Sequence, residues 1–332
     1  MIYRLLRLVL FQFDAEISHR IALCCLKFFY RCGILRFTRI EKPVEIMGLR
    51  FPNPVGLAAG LDKNAEYIDA LAALGFGFIE VGTITPRPQP GNPKPRLYRL
   101  PPVRGLINRM GFNSKGLEYA IHQIKRSKYQ GILGINIGKN FDTPNDRALD
   151  DYLIGLRAVY PYASYITVNI SSPNTEGLRE LQFGEYLNHL LENLKSERQK
   201  LSRQYHKIVP LVVKIAPDLT EEEIQNIASC LLKHEIDGVC AVNTTLSREG
   251  ITELPQANER GGLSGAPLFN KAVKVVTILT HCLKGKIPII AVGGICKPSN
   301  AKVFFAAGAS LVQLYTGFIY EGPRLIKLIV EN

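Results

Sequence analysis

No stretch of the 332 residues approaches the roughly 18 uncharged apolar residues that would span a bilayer. The apolar run at the N-terminus is not followed by a small-residue cleavage site, so a secretory leader is not expected either. The seven cysteines are odd in number, two are adjacent (Cys24, Cys25), and none forms a C-x-x-C pair. That argues against a disulfide framework and for buried thiols in a reducing compartment. Zinc-finger spacing is missing, and so is any Arg/Lys run interleaved with aromatics, which argues against nucleic acid as a partner. Acidic residues are in deficit, 29 against 41 basic ones, for a formal charge of +12. Such a charge calls for a lipid surface or for phosphate and carboxylate ligands.

Residues 1–38 stand apart as a two-helix N-terminal amphipathic extension. Ile2, Leu5, Leu6, Val9 and Phe13 recur at helical spacing, as do Ile17, Ile21, Cys24, Cys25, Phe28 and Phe29. Asp14 can cap the second helix and Gly33 can end it. Arg20, Lys27 and Arg31 share one face, and residues 1–40 carry a net +5. Two readings are open: a hairpin packed on its own domain, or an interfacial hairpin with its apolar face in lipid and a basic rim on anionic headgroups.

From residue 53 onward the pattern changes to short apolar runs separated by helical stretches. The runs are PVGLAA from 54, GFIEVGT from 77, ILGINIG from 132, YITVNIS from 165, PLVVKIA from 210, DGVCAVN from 237, IPIIAVGG from 287 and SLVQLYT from 310. Near-continuous hydrophobicity predicts parallel strands buried on both faces. Eight of them alternating with helices predict an α/β chain with a (β/α)8 TIM barrel over 39–332. The long intervals after the second and sixth runs are expected to hold active-site insertions. A doubly wound open sheet is the rival, but no G-x-G-x-x-G follows the first run.

In such a barrel the site lies at the C-terminal ends of the strands. Those ends carry Lys63, Thr83, Asn136, Asn169 with Ser171 and Ser172, Lys214, Asn243 with Thr244, Gly293 with Gly294, and Tyr315 with Thr316. Asn side chains both donate and accept, so a ring of them suits a planar heterocycle with imide or urea edges. The mouth has no cluster of histidines or carboxylates, so no metal is expected. The glycines after strands seven and eight can bind a phosphate through bare backbone N–H groups. The glycine loop 261–265 is positioned to close over the same ligand. Lys214, within apolar VVKIA, suits either a Schiff-base amine or a fixed cation beside a cofactor that becomes anionic.

The blocks PVGLAAGLDKN (54–64), EVGTITPRPQPGNPKPRLYRL (80–100), INRMGFNS (107–114), GINIGKN (134–140), NISSPNT (169–175), VKIAPDL (213–219), GGLSG (261–265) and VGGI (292–295) together resemble the dihydroorotate dehydrogenases. The resemblance covers nearly the whole chain. The N-terminal extension, and a serine within NISSPNT, resemble the class that reduces a membrane quinone. What the resemblance implies is oxidation of dihydroorotate to orotate in pyrimidine biosynthesis, with FMN as hydride acceptor. It implies FMN contacts from Ala59, Gly60, Leu61, Asp62, Lys63, Thr83, Asn136, Asn169, Lys214, Gly265, Gly294, Tyr315 and Thr316. Substrate would meet Lys63, Asn108, Arg109, Met110, Gly111, Phe112, Asn169, Asn174, Asn243 and Thr244. Ser172 would be the catalytic base, while His19, Arg99 and Tyr315 would line a quinone passage entered through the hairpin. The implied setting is peripheral, on the cytoplasmic face of a bacterial inner membrane with an anionic lipid surface. Val242 stands where some members carry Thr, and Thr316 where some carry Ser; neither alters the expected reaction.

Overall fold

The computed structural model describes residues 2–35 and 38–332; Met1, Arg36 and Phe37 of the expected extension lie outside the described residues. Two helices open the chain, α1 (Ile2–Leu10) and α2 (Ala15–Arg31). The Asp14 carboxylate accepts from the backbone N–H groups of Glu16 and Ile17, and Gly33 follows α2 at φ 70°. That is the start and stop signal read from the sequence.

Only part of this hairpin packs on the barrel. Leu23 is buried and Leu26 lies against the main core. By contrast Leu5, Leu6, Leu8, Val9, Phe13, Ile17, Ile21, Phe28, Phe29 and Ile34 stand 39–68% exposed. Cys24, Cys25 and Cys32 are exposed too, which corrects the expectation of uniformly buried thiols; Cys240 and Cys296 are buried. Lys27 leaves the expected basic rim: its Nζ donates to Glu66 O at 2.7 Å. Glu16 ties α2 to the barrel side through Arg96, at 2.8 and 3.1 Å, and through Lys94 at 3.3 Å.

The eight expected runs form the strands β1 (Val55–Leu57), β2 (Phe78–Ile84), β3 (Ile132–Ile137), β4 (Tyr165–Asn169), β5 (Leu211–Ile215), β6 (Gly238–Ala241), β7 (Ile289–Val292) and β8 (Leu311–Leu314). All pair in parallel in chain order, and β8 pairs back onto β1 to close the barrel. Helices α3 (Ile68–Ala72), α4 (Gly116–Arg126), α5 (Ala148–Val159), α6 (Gly184–Tyr205), α7 (Glu221–Lys233), α8 (Phe269–Leu283), α9 (Pro298–Ala306), α10 (Thr316–Glu321) and α11 (Arg324–Glu331) follow the strands.

Alternation along each strand sends one set of side chains to the helices and the other into the barrel. Ile79, Val81, Ile166 and Val168 belong to the outer core. Phe51, Phe78, Tyr165, Val212, Cys240, Ile290 and Leu311 pack together and plug one end of the barrel. Gly56 and Gly134 make room for the rings: a Cβ on either would come within 2.2 Å of Phe78 or Tyr165. A ligand on the barrel axis therefore has to sit at the open end.

The two long intervals meet above that end. Leu97–Leu100 and Gly105–Asn108, from the interval after β2, form an antiparallel sheet with Gly262–Gly265, from the interval after β6. The expected glycine loop is thus a paired strand over four of its five residues, held in the sheet above the mouth.

Candidate active site

One cavity at the open end gathers most of the expected residues. It is lined by Ala59, Gly60, Lys63, Thr83, Asn108, Met110, Gly111, Phe112, Asn169, Ser172, Asn174, Lys214, Asn243, Thr244, Gly265, Gly294, Tyr315 and Thr316. Nearly every strand end, or the loop after it, contributes, because parallel strands in a closed barrel all point their C-termini at one mouth.

The amides form a connected ring. Thr83 Oγ1 donates to Asn136 Oδ1 at 2.6 Å, and Asn169 Nδ2 donates to Thr83 Oγ1 at 2.9 Å. Ser171 Oγ donates to Asn169 Oδ1 at 3.1 Å, and Asn243 Nδ2 donates to Ser171 Oγ at 3.0 Å. Ser171 is completely buried in this network, whereas Ser172 faces the cavity. Ser172 Oγ accepts from Asn174 N at 3.3 Å, and Asn174 Nδ2 donates to Asn108 Oδ1 at 3.3 Å. The loop carrying Ser172 is held from behind by Arg179, which donates to Ser171 O and Thr244 O and pairs with Asp218 at 3.0 Å.

Two lysines supply the positive charge. Lys214 lies beside Asn169 on the neighbouring strand, is 5% exposed, and has no hydrogen-bond or ion-pair partner among the described residues. Burying an ammonium without an anion is costly, so this position awaits one. Lys63 Nζ donates to Gly60 O at 2.5 Å. Burial pushes its pKa down to about 8, helped by the Arg96 cation and opposed by Glu16 and Asp62.

The far side of the cavity is bare backbone. Gly265 and Gly294 have φ of 89° and 74°, and a Cβ there would meet Arg104 O at 2.1 Å and Phe269 Cα at 2.5 Å. A side chain is excluded on both counts. Thr316 Oγ1 and Ser264 Oγ sit 2.9 Å apart beside these glycines. Thr244 Oγ1 is buried without a partner among the described residues. A cofactor with a phosphate and an anionic heterocycle fits this donor set: bare N–H groups and hydroxyls at one end, an unpaired ammonium and amides at the other.

Some expected residues lie elsewhere. Asn136 sits beneath the cavity, behind Thr83, and does not line it. Leu61 and Asp62 do not line it either; the Asp62 carboxylate accepts from Glu66 N and Tyr67 N at 2.8 and 2.7 Å. Burial raises the Asp62 pKa to about 6 against the pull of those N–H groups. Arg109 turns outward to Glu259 at 2.7 Å and stacks on Tyr98. Arg99 lies over the Phe11 ring, 4.7 Å from its centroid, and donates to Leu10 O at 3.2 Å. His19 is half-buried beside the Leu61 backbone; burial and the Lys63 cation lower its pKa to about 4, against Glu16 and the polar influence of that backbone. Tyr315 OH donates to Gly60 O at 3.3 Å. His19 and Tyr315 therefore flank the same Gly60–Leu61 segment, from the hairpin and from the barrel.

Glu80 and Gln313 were missed. Gln313 lines the cavity and donates to the buried Glu80 at 2.7 Å. A signal existed: each interrupts an apolar strand, as Lys214 does.

A dihydroorotate dehydrogenase family model matches residues 42–332. A dihydroorotate dehydrogenase (quinone) of Acinetobacter baylyi is 58% identical over 331 residues, covering 100% of this chain and 99% of the relative. One from Nitrosospira multiformis is 58% identical over 332 residues, covering 100% of this chain and 95% of the relative. A crystal structure of the Eimeria tenella enzyme in complex with ferulenol superposes with a TM-score of 0.89 at 40% identity, covering 96% of this chain and 90% of that one. By sequence and by fold, the chain belongs to the dihydroorotate dehydrogenase family.

Proposed function

We propose that this chain oxidises dihydroorotate to orotate in pyrimidine biosynthesis, passing electrons through FMN to a membrane quinone. The observation that carries the reading is one cavity holding an unpaired buried ammonium, an amide-lined mouth and a buried serine on its wall. When bound, FMN supplies the hydride acceptor that no side chain can provide. Gly265, Gly294 and Thr316 would hold its phosphate, and Lys214 would place a cation beside the ring. One phosphate cradle and no dinucleotide fingerprint favour FMN over FAD.

The chain's own residues do the rest. Lys63 would pair with the substrate carboxylate, and Asn108, Asn174, Asn243 and Thr244 would hold the pyrimidine edges. Ser172 Oγ would take the C5 proton. A serine is a weak base, so donors must stabilise the charge that develops on the substrate carbonyl. The Asn side chains and Lys63 are fixed by hydrogen bonds before substrate arrives, which spares that reorganisation. Leu268, Ile295 and Phe112 wall the cavity with apolar surface and strengthen those interactions by excluding water.

The exposed apolar face of α1 and α2, with Arg20 and Arg31 in water beside it, supports an interfacial role for the hairpin. Among the described residues no helix is long and apolar enough to cross a membrane. The proposed setting is the cytoplasmic face of a bacterial inner membrane, docked on anionic lipid, with His19, Arg99 and Tyr315 along the quinone's path. Releasing the cofactor by heat and weighing it tests the reading: FMN is expected, and FAD or no flavin would overturn it.

A further inference from the structure

The centre of the barrel holds an acidic side chain that the proposed reaction does not use. Glu80 on β2 is fully buried, and among the described residues no lysine or arginine pairs with it. Three donors converge on it instead: Asn136 Nδ2 reaches Oε1 at 2.8 Å, while Tyr165 OH and Gln313 Nε2 reach Oε2 at 2.8 and 2.7 Å. A carboxylate can only accept. It therefore dictates which way the two amides face, since each must turn its NH2 toward Glu80.

The consequence runs to the mouth. With Nδ2 committed to Glu80, Asn136 presents Oδ1 to Thr83 Oγ1 at 2.6 Å and to Asn169 Nδ2 at 3.2 Å. Asn169, its Nδ2 now spent, presents Oδ1 to Ser171 Oγ at 3.1 Å and to Asn243 Nδ2 at 3.4 Å. Each link donates toward the barrel centre. Fully connected buried networks of this kind specify one arrangement, because an inverted link leaves donor facing donor.

We propose that Glu80 is a positioning residue that sets the direction of this hydrogen-bond chain, and so the donor and acceptor pattern offered to flavin and pyrimidine. The inference rests on the flavin reading above. Replacing Glu80 by glutamine changes almost no volume but introduces one donor. Turned toward Asn136, the new NH2 meets Asn136 Nδ2; turned the other way, it meets Gln313 Nε2. Either Asn136 or Gln313 must flip, and Gln313 lines the cavity.

A second substitution restores the pattern. In Glu80→Gln with Asn136→Asp, the glutamine NH2 donates to the introduced aspartate, and its Oε1 still accepts from Tyr165 and Gln313. The aspartate accepts from Thr83 and Asn169 as the Asn136 amide oxygen did. The test is flavin retention through extended dialysis, with the absorption spectrum of the bound fraction, on wild type, single and double variants. Glu80→Gln is expected to hold flavin roughly tenfold to hundredfold more weakly, with a shifted spectrum and an intact far-UV CD signal. The double variant is expected to regain most of the retention. A Glu80→Gln protein with wild-type retention and spectrum overturns the proposal. So does a double variant that fails to fold or binds no better than the single. A colourless wild type strikes instead at the flavin reading itself.

Discussion

Replacing Lys63 by methionine should make the flavin-free protein more stable while removing its affinity for dihydroorotate. Burial lowers the folded-state pKa from the ordinary 10.5 to about 8, with the Arg96 cation pushing the same way. At neutral pH a depression of that size corresponds to about 3 kcal/mol of destabilisation by the ammonium. Methionine keeps the apolar stem and loses the bond to Gly60 O, which contributes about 1 kcal/mol. The net expectation is a gain of about 1–3 kcal/mol for the flavin-free variant. The pH dependence follows from the sign: the unfolded chain binds the extra proton between pH 8 and 10.5, so wild-type stability should rise with pH through that window. The methionine variant should lack the rise. Urea unfolding of both flavin-stripped proteins at pH 7.5 and 10 measures each quantity, and a dihydroorotate titration of the flavin-loaded forms measures the loss of function. A variant less stable than wild type at pH 7.5, or one keeping the same rise with pH, would refute the reasoning.

Ser172→Ala should slow flavin reduction roughly 10²–10⁴-fold with flavin still bound, as read by stopped flow. Ser171→Ala, which takes one partner from Asn243 Nδ2 and one from Asn169 Oδ1 and leaves their mutual contact at 3.4 Å, should instead raise the KM for dihydroorotate; equal slowing would mean the base is misassigned. Lys214→Ala should lose flavin or lower its reduction potential, and a fully flavinated variant with unchanged potential contradicts the role given to the unpaired cation. A chain starting near Glu41 should still be bleached by dihydroorotate but reduce quinone poorly and stop sedimenting with anionic vesicles. Full quinone turnover and undiminished, salt-insensitive vesicle binding would show that the hairpin is structural packing alone.

The barrel was legible because its strands are buried on both faces, so each reads as an unbroken apolar run, and the punctuation between them is regular. The hairpin helices were legible for the opposite reason: only one face of each is apolar. Which way that face points was not legible, since the same period serves packing and lipid. The sheet over the mouth was invisible because Gly105–Asn108 and Gly262–Gly265 are far apart in sequence, and a pairing of distant segments leaves no local period. The turn of Arg109 toward Glu259 was invisible for the same reason: the two come from different insertions. Lys214 was recognised as a charge inside an apolar strand, and the same logic applied to Glu80 and Gln313 would have found the network beneath the site.

Anaerobic mixing of the purified, intact protein with dihydroorotate, followed by a quinone analogue, tests the central claim most directly. A flavin band should bleach on the first addition and return on the second. A colourless protein that borohydride traps covalently with its substrate through Lys214 would contradict the account.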